Sequence, residues 1–360
     1  MNNLKKLGVT ALAGSLVAVS AQAGEMSVNG SANITYKTNN QSEGKGIGTD
    51  KGLTLSGAGE LDNGWTFSMF TTFSDALGLT SAATSVTMGS LGTVTAGTGW
   101  GGNAGAFDEE VPTAYEQASD LHSAGSSNAM GSFLGNGGLT WAVPSFSMGG
   151  ATASLVLGWV PNADGAAVGN GGVGTRVDSA GVWGDGMDAG LTIATDLGLT
   201  VGVYAATREQ NTPVVSGDRA TADEFNGTWY AKYSAGPVSI GYQQSYLDAG
   251  RAATATATTT AKVVRTAGGL FEETQMSIAF NVNDNVTISY TDAEDTYDSQ
   301  GDVTAGTTSA DVSMDTEALQ VSYSMGGMSI SAYQIETTNK GYDSDATAHE
   351  ASEISIGLAF

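Results

Sequence analysis

The chain has 360 residues with 51 glycines, 5 prolines and no cysteine, and its 37 acids against 13 bases give a formal charge of −24. Without cysteine there is no disulfide framework, thiolate nucleophile or zinc–thiolate site, and two histidines, His122 and His349, are too few for an imidazole-built metal centre. So acidic a balance argues against a nucleic-acid partner, and a mean hydropathy of −0.06 argues against a bundle of membrane helices.

The first element is an address. Lys5 and Lys6 precede an apolar stretch from Leu7 to Val19, and Ala21-Gln22-Ala23 supplies the small-x-small pattern of a signal-peptidase site. Residues 1–23 are therefore expected to be cleaved, leaving 24–360 as one domain. A membrane anchor would need about 20 mostly apolar residues, and Thr10, Gly14 and Ser15 interrupt this stretch. Cleavage leaves 11 bases against 37 acids, a charge of −26.

After Ala23 the main local signal is alternation, the mark of a strand with two unlike faces. Ile354, Ile356, Leu358 and Phe360 share one face of the last segment, and Glu353, Ser355, Gly357 and Ala359 the other. The same parity recurs in Met276, Ile278, Phe280 and Val282, in Val286, Ile288 and Tyr290, and in Leu319, Val321, Tyr323 and Met325. Sixteen strands are predicted, near 26–37, 52–62, 64–74, 84–89, 92–98, 138–144, 150–160, 188–196, 198–208, 224–235, 237–247, 272–282, 285–295, 314–325, 327–338 and 350–360.

Tight turns are predicted at Asp62-Asn63-Gly64, Ser90-Leu91, 145–149, Leu197, Gly236, Asn283-Asp284 and Gly326. Long excursions alternate with them at 38–51, 75–83, 99–137, 161–187, 209–223, 248–271, 296–313 and 339–349. Seven short and eight long connections are what sixteen antiparallel strands need when both termini lie at the short-turn end. This is the construction of an outer-membrane β-barrel, with apolar residues toward lipid and polar residues toward the lumen. A sheet spans a bilayer only by closing on itself, so 26–37 should pair with 350–360.

A soluble β-sandwich also alternates, but its outward face should carry more charge. Here the polar face is mostly Ser, Thr, Gly, Ala, Asn and Gln, most acids fall in the excursions, and Tyr36, Trp65, Trp159, Tyr204, Trp229, Tyr246 and Phe360 lie near strand ends as in an interfacial aromatic girdle.

Three segments carry a family resemblance: Leu55-Ser-Gly-Ala-Gly-Glu-Leu-Asp-Asn-Gly-Trp-Thr-Phe67, Gly89-Ser-Leu-Gly-Thr-Val-Thr-Ala-Gly97 leading into Gly99 to Asp108, and the terminal Ile-Gly-Leu-Ala-Phe360. Together they resemble the general diffusion porins of Gram-negative bacteria, particularly the alphaproteobacterial type. The resemblance implies an outer-membrane homotrimer of 16-stranded barrels, each with a water-filled pore for ions and small hydrophilic solutes, and a third long loop folded inward as a constriction. As further partners it implies outer-membrane lipid and lipopolysaccharide, and a barrel-assembly machinery that reads Phe360. No cofactor is implied.

The excursion at 99–137 is the longest and holds Asp108, Glu109, Glu110, Glu116 and Asp120 with no lysine or arginine. In the family such carboxylates face a basic cluster on the wall. By parity Lys37, Arg208 and Lys232 point into the lumen, but each lies toward a strand end, and Thr98 stands where relatives often carry a base. An acidic lumen concentrates cations, so a cation-preferring pore is expected. The cluster can also be read as a solvated charge run. Loop carboxylates are calcium donors too, but without an Asp-x-Asp-x-Asp-Gly loop a calcium site must be assembled from separate segments.

Two other functions fit parts of the sequence. Asp120, His122 and Ser123 suggest a barrel hydrolase, although no Gly-x-Ser-x-Gly elbow is present. The Ala-Thr tract at 252–261 and the glycine-rich 165–174 would suit a secreted or surface-displayed adhesin.

Overall fold

The computed structural model describes residues 24–40, 44–121, 137–163, 183–210, 222–250, 269–298 and 311–360. The expected signal peptide, His122 with Ser123, and the tracts at 165–174 and 252–261 lie outside them.

The sheet runs through β1 (Glu25–Asn39), β2 (Lys45–Glu60), β3 (Thr66–Phe73), β4 (Leu79–Thr87), β5 (Thr93–Thr98), β6 in two segments (Leu139–Ala142 and Phe146–Met148), β7 (Ala151–Val160) and β8 (Trp183–Thr195). It continues through β9 (Leu199–Gln210), β10 (Glu224–Ala235), β11 (Val238–Asp248), β12 (Leu270–Asn283), β13 (Val286–Asp298), β14 (Val312–Met325), β15 (Met328–Thr337) and β16 (His349–Ala359). Every strand pairs antiparallel with its sequence neighbours, and β1 also pairs with β16, from Ser31↔Ala359 to Asn39↔Ala351. The result is a closed barrel of sixteen antiparallel strands.

Closure depends on small residues at the seam. Gly30 and Phe360 exchange backbone hydrogen bonds of 2.7 and 3.0 Å, and a Cβ on Gly30 would lie 2.3 Å from the Phe360 ring. The terminal aromatic lies over a position that only glycine leaves open.

All seven short turns are present. At two of them a two-residue connection needs a left-handed residue, supplied by Gly236 (φ 57°) and Gly326 (φ 60°). The sixth strand departs from the expected 138–144 and the turn at 145–149. Between Ala142↔Val156 and Phe146↔Ala153 one extra residue enters, so the strand bulges at Pro144, which has no N–H to give to a ladder, and then continues to Met148. The turn is only Gly149-Gly150.

Two expected excursions are also mostly strand. Residues 45–52 lack alternation, yet extend β2 because β1 templates them through Lys37↔Gly46 and Thr38↔Lys45. The excursion at 75–83 shrinks to a hairpin, with Leu77 N–H donating to the Ser74 carbonyl, and β4 starts at Leu79 rather than 84.

Parity places the apolar residues outward as read. Met276, Ile278, Phe280, Leu319, Ile354 and Leu358 are all exposed on the outer surface. Of the aromatics assigned to a girdle, Tyr36, Trp159 and Trp229 are exposed outward, but Tyr204 points inward and is 2% exposed, because an inserted loop gives it an aromatic partner. The buried apolar residues form three clusters inside the barrel, around Phe107, around Tyr115 with Tyr333, and around Phe271 with Tyr297 and Tyr342.

Candidate functional site

The third long loop, described from Gly99 to Leu121, turns into the lumen and lies along the inner wall of nine consecutive strands, β8 to β16. Its first anchor is apolar. Phe107 is 2% exposed and stacks on Tyr204 with ring centroids 5.2 Å apart, with Tyr230 at 6.3 Å. A Cβ on Gly190 would meet the Phe107 ring at 2.4 Å, so β8 leaves a recess for it. Burying one such ring contributes about 1.5–3 kcal/mol.

The remaining anchors are polar and come in strand order. On β8 and β9, Asp188 accepts from Asn103 Nδ2 at 2.7 Å and from Tyr204 OH at 2.8 Å. On β10, Lys232 pairs with Glu110. Gln243 on β11 accepts from the Glu110 N–H and donates to the Phe107 carbonyl. Ser277 on β12 donates to the Pro112 carbonyl, and Ser289 on β13 accepts from the Ala114 N–H. On β14, Gln320 accepts from the Tyr115 and Glu116 N–H groups at 2.8 and 2.9 Å and returns a donor to the Glu116 carbonyl. On β16, Glu353 accepts from Tyr115 OH at 2.9 Å. A loop packed against the inner wall must satisfy its buried backbone groups, and two wall glutamines, Gln243 and Gln320, do much of this.

The five loop carboxylates occupy unlike positions. Asp120 is exposed, Asp108 and Glu116 are half-buried, and Glu109 and Glu110 are buried at 4% and 6% exposure. Glu109 sits in the left-handed region at φ 41°, which strains a non-glycine residue. It accepts from the Ser119 N–H and hydroxyl and from Gln275 Nε2 at 2.7 Å. Burial first, then the charge of Asp108, pushes its carboxyl up to about 7 despite those donors. The same Gln275 amide donates to Glu273 on the wall.

Lys37, Arg208 and Lys232 all reach the lumen, each in an ion pair. Lys37 stands 3.9 Å from Glu353, Arg208 bonds Glu224 at 2.7 Å while stacking 3.7 Å over the Trp183 ring, and Lys232 holds Glu110. By contrast Asp188, Glu109 and Glu273 are held by the neutral donors already named. The described lining therefore holds more carboxyl groups than bases. Among the described residues no group of three or more acids and histidines is placed to hold a metal ion.

Sequence reading did not single out Asn103, Phe107, Asp188, Gln243, Gln275 or Gln320. The available signal was long amide or acidic side chains at inward parity in strands otherwise built of Ser, Thr, Gly and Ala. A further contact also went unread: Tyr342, from the connection between β15 and β16, is buried against Phe271 and Tyr297 and donates to Asp295 at 2.6 Å.

The described part of the loop leaves the other inner wall uncovered. Thr54, Ser56, Thr72, Ser85 and Thr95 on β2–β5 are half-buried, and their hydroxyls pair across strands, Thr54 with Thr72 at 3.0 Å and Ser85 with Thr95 at 2.7 Å.

No protein-family model and no curated protein matches the chain. Solved structures match nearly all of it. The anion-selective porin from Comamonas acidovorans aligns with a TM-score of 0.62 at 15% identity, over 94% of this chain and 100% of that one. OmpF of Salmonella typhi, solved in complex with daunomycin, gives 0.62 at 12% identity over 93% and 97%. The trimer form of in-vitro folded OmpT, an outer membrane protein of Vibrio cholerae, gives 0.57 at 14% over 94% and 100%. The fold these comparisons define is that of the porins.

Proposed function

We propose that the chain is an outer-membrane diffusion porin that passes ions and small hydrophilic solutes passively and prefers cations. The observation that carries the reading is the inserted loop: a barrel of sixteen strands is wide enough to leave an aqueous channel, and here a fixed segment narrows it from one side only. Cation preference is supported by the lumen's balance of groups: among the described residues each inward base faces a carboxylate, while Asp188, Glu109 and Glu273 have neutral donors only and Glu109 adds its charge as pH rises through about 7. A desolvated, acidic constriction attracts cations over anions, and the preference fades as salt rises.

On this reading residues 1–23 are an export signal, 24–360 is the mature barrel, and Phe360 is the assembly signal. Lipopolysaccharide and lipid surround the barrel, and the functional unit is a homotrimer. The glycine-rich motifs favour the alphaproteobacterial branch. No catalytic step or cofactor is part of the proposal.

The test is planar-bilayer conductance of refolded 24–360 under a KCl gradient, with step size and reversal potential recorded together. Stepwise openings and a cation-sided potential are expected. Asp108→Asn with Glu116→Gln should move that potential toward zero more than Asp298→Asn with Asp311→Asn. Equal shifts would defeat the constriction assignment, and a folded barrel without conductance would defeat the channel.

A further inference from the structure

The outer wall from β9 to β13 is not a smooth apolar band. On β10 the outward residue between Trp229 and Tyr233 is Ala231, and around it Tyr233, Ile240, Tyr242, Met276 and Tyr290 border a cavity of about 630 Å³. Lys232 and Ser277 border it too, but their side chains are engaged inside the barrel with Glu110 and Pro112, so the cavity opens outward. Its size is that of a small-molecule site, roughly 300–1,000 Å³. Tyr233, Ile240, Met276 and Tyr290 are all exposed, which leaves their apolar surface for an occupant.

One rung of the sheet leads out of this cavity into a row of acids. Register places Ala231 opposite Tyr242, Tyr242 opposite Met276 and Met276 opposite Asp292, whose carboxylate belongs to the cavity lining. The same rung continues through Glu317, Glu336 and Glu350. All four acids are exposed and share outward parity with Tyr290, Leu319 and Ile354. Ala231 lies inside β10, whereas Glu336 and Glu350 adjoin Thr337 and His349 at the long-loop ends of β15 and β16, so the rung climbs from the apolar band toward its polar edge. Like charges directly opposite in a sheet destabilise it, and charge on a lipid face costs more the deeper it lies. From β9 to β16 the described strands give the row no cation, since Arg208 and Lys232 both point into the lumen.

Resting on the reading of the chain as a membrane barrel, we propose that this wall is a specific site for a lipid whose headgroup carries a primary ammonium. One acyl chain lies in the cavity floored by Ala231, and the ammonium lies against Asp292 and Glu317. Charge complementarity selects the headgroup: carboxylates in line repel an anionic one, whereas an ammonium offsets charge that the sheet otherwise holds at the edge of its apolar band. The neighbouring rings favour the same occupant. Tyr290 shares the outward face of β13 with Asp292, Tyr242 stands on the same rung, and tyrosine faces attract cations. The cavity and the row meet at Asp292, so a single amphiphile fills both.

The test is native mass spectrometry of refolded 24–360 in mild detergent, titrated separately with three lipids of matched chains. These are phosphatidylethanolamine, phosphatidylglycerol and N-acetylated phosphatidylethanolamine, which keeps the phosphate and loses the ammonium. The ammonium lipid should bind at least about tenfold more tightly than the other two, as a charge-assisted hydrogen bond allows. Asp292→Asn with Glu317→Gln should abolish that preference. Ala231→Phe, which fills the cavity, should weaken all three lipids and keep their order. Single-channel conductance and heat-modifiable migration should stay as in the parent, because these residues lie outside the lumen, and they certify that each variant is folded. Equal binding of the three lipids, or a preference that survives the double variant, overturns the inference while leaving the channel reading standing. A preference for phosphatidylglycerol that calcium creates and chelation removes would also overturn it and assign the acids to ion-bridged lipid. Selective binding by a folded barrel without conductance would uphold the inference and fail the channel instead.

Discussion

The lumen has two unlike walls. From β8 to β16 the inward residues are buried, with Gln275 and Gln320 at 1%, Gln243 at 2% and Ser277 at 7% exposure, because the third loop lies on them. From β2 to β5 the inward residues include half-buried hydroxyls that bond one another, Thr54 with Thr72, Ser85 with Thr95 and Thr87 with Thr93. The covered wall carries long side chains and ion pairs and acts as a foundation for the loop. The bare wall carries mostly short hydroxyl groups, with Phe70 among them and Asp50 toward the far end of β2. On the proposed reading, solutes pass between a wall rich in hydroxyls and a loop whose foundation is acidic. Among the described residues no basic ladder stands on the bare wall opposite the loop's acids.

The most direct way to break this division is to pull out the loop's apolar anchor. Phe107→Ala empties the recess beside Gly190 and unstacks Tyr204, a change that typically costs about 3–5 kcal/mol. Because the loop then narrows the lumen less firmly, single-channel conductance should rise and become noisy. Urea midpoint and bilayer recordings on the same preparation check both effects. An unchanged conductance would mean that the loop's position does not set the bore.

Next in size is the ion pair that clips the loop to β10. Lys232→Met leaves the Glu110 carboxylate buried without its partner. The cost should be about 2–3 kcal/mol, below the 3–5 of a fully enclosed pair, since the Lys232 side chain keeps 29% exposure. Glu110→Gln in the same chain should recover most of it. The double variant should also keep the wild-type reversal potential, because the pair it removes is neutral as a unit. A double variant as unstable as Lys232→Met alone would show that the lysine acts through packing on Tyr230 and not through Glu110.

How much of this was readable from the sequence follows from where each signal is stored. Outward parity, six of the seven turns and the β1–β16 closure were legible because alternation is local and lipid-facing positions must be apolar. Residues 45–52 were not, since Lys-Gly-Ile-Gly-Thr-Asp-Lys-Gly has no periodic signal and is strand only through its partner β1. The inward direction of Tyr204 was also hidden: near a strand end an aromatic suits a girdle, and only Phe107, 97 positions earlier, makes it a core residue. The wall glutamines illustrate the same limit. Gln243 and Gln320 look like any polar lumen residue until a loop distant in sequence presents backbone groups to them.

Between the two walls lies Glu109, whose titration should report on the loop's seating. Its carboxyl is raised from the ordinary 4.5 to about 7, chiefly by burial. The folded state thus disfavours the anion, so its contribution to stability is fully present below pH about 4.5 and is lost as pH rises toward 7. Glu109→Gln should flatten the stability profile across that window. In the parent pore the cation preference should strengthen as pH rises through about 7, where the folded pore's Glu109 takes its charge. Parallel profiles in parent and variant would place the titration elsewhere.

The smallest effect on stability is expected on the bare wall, and it tests whether that wall faces water at all. Ser85→Lys loses one hydroxyl bond to Thr95, about 0.5–1 kcal/mol, and puts a charge where solvent can hydrate it. Its ammonium needs no protein partner, unlike Lys232, so total destabilisation should stay below about 1 kcal/mol. The effect on permeation should be larger, because a base opposite the loop adds a positive charge across the lumen from its acids and cation preference should fall. If Ser85→Lys instead destabilised the barrel as much as Lys232→Met, the hydroxyl wall would be dry, and the lumen would have one kind of wall rather than two.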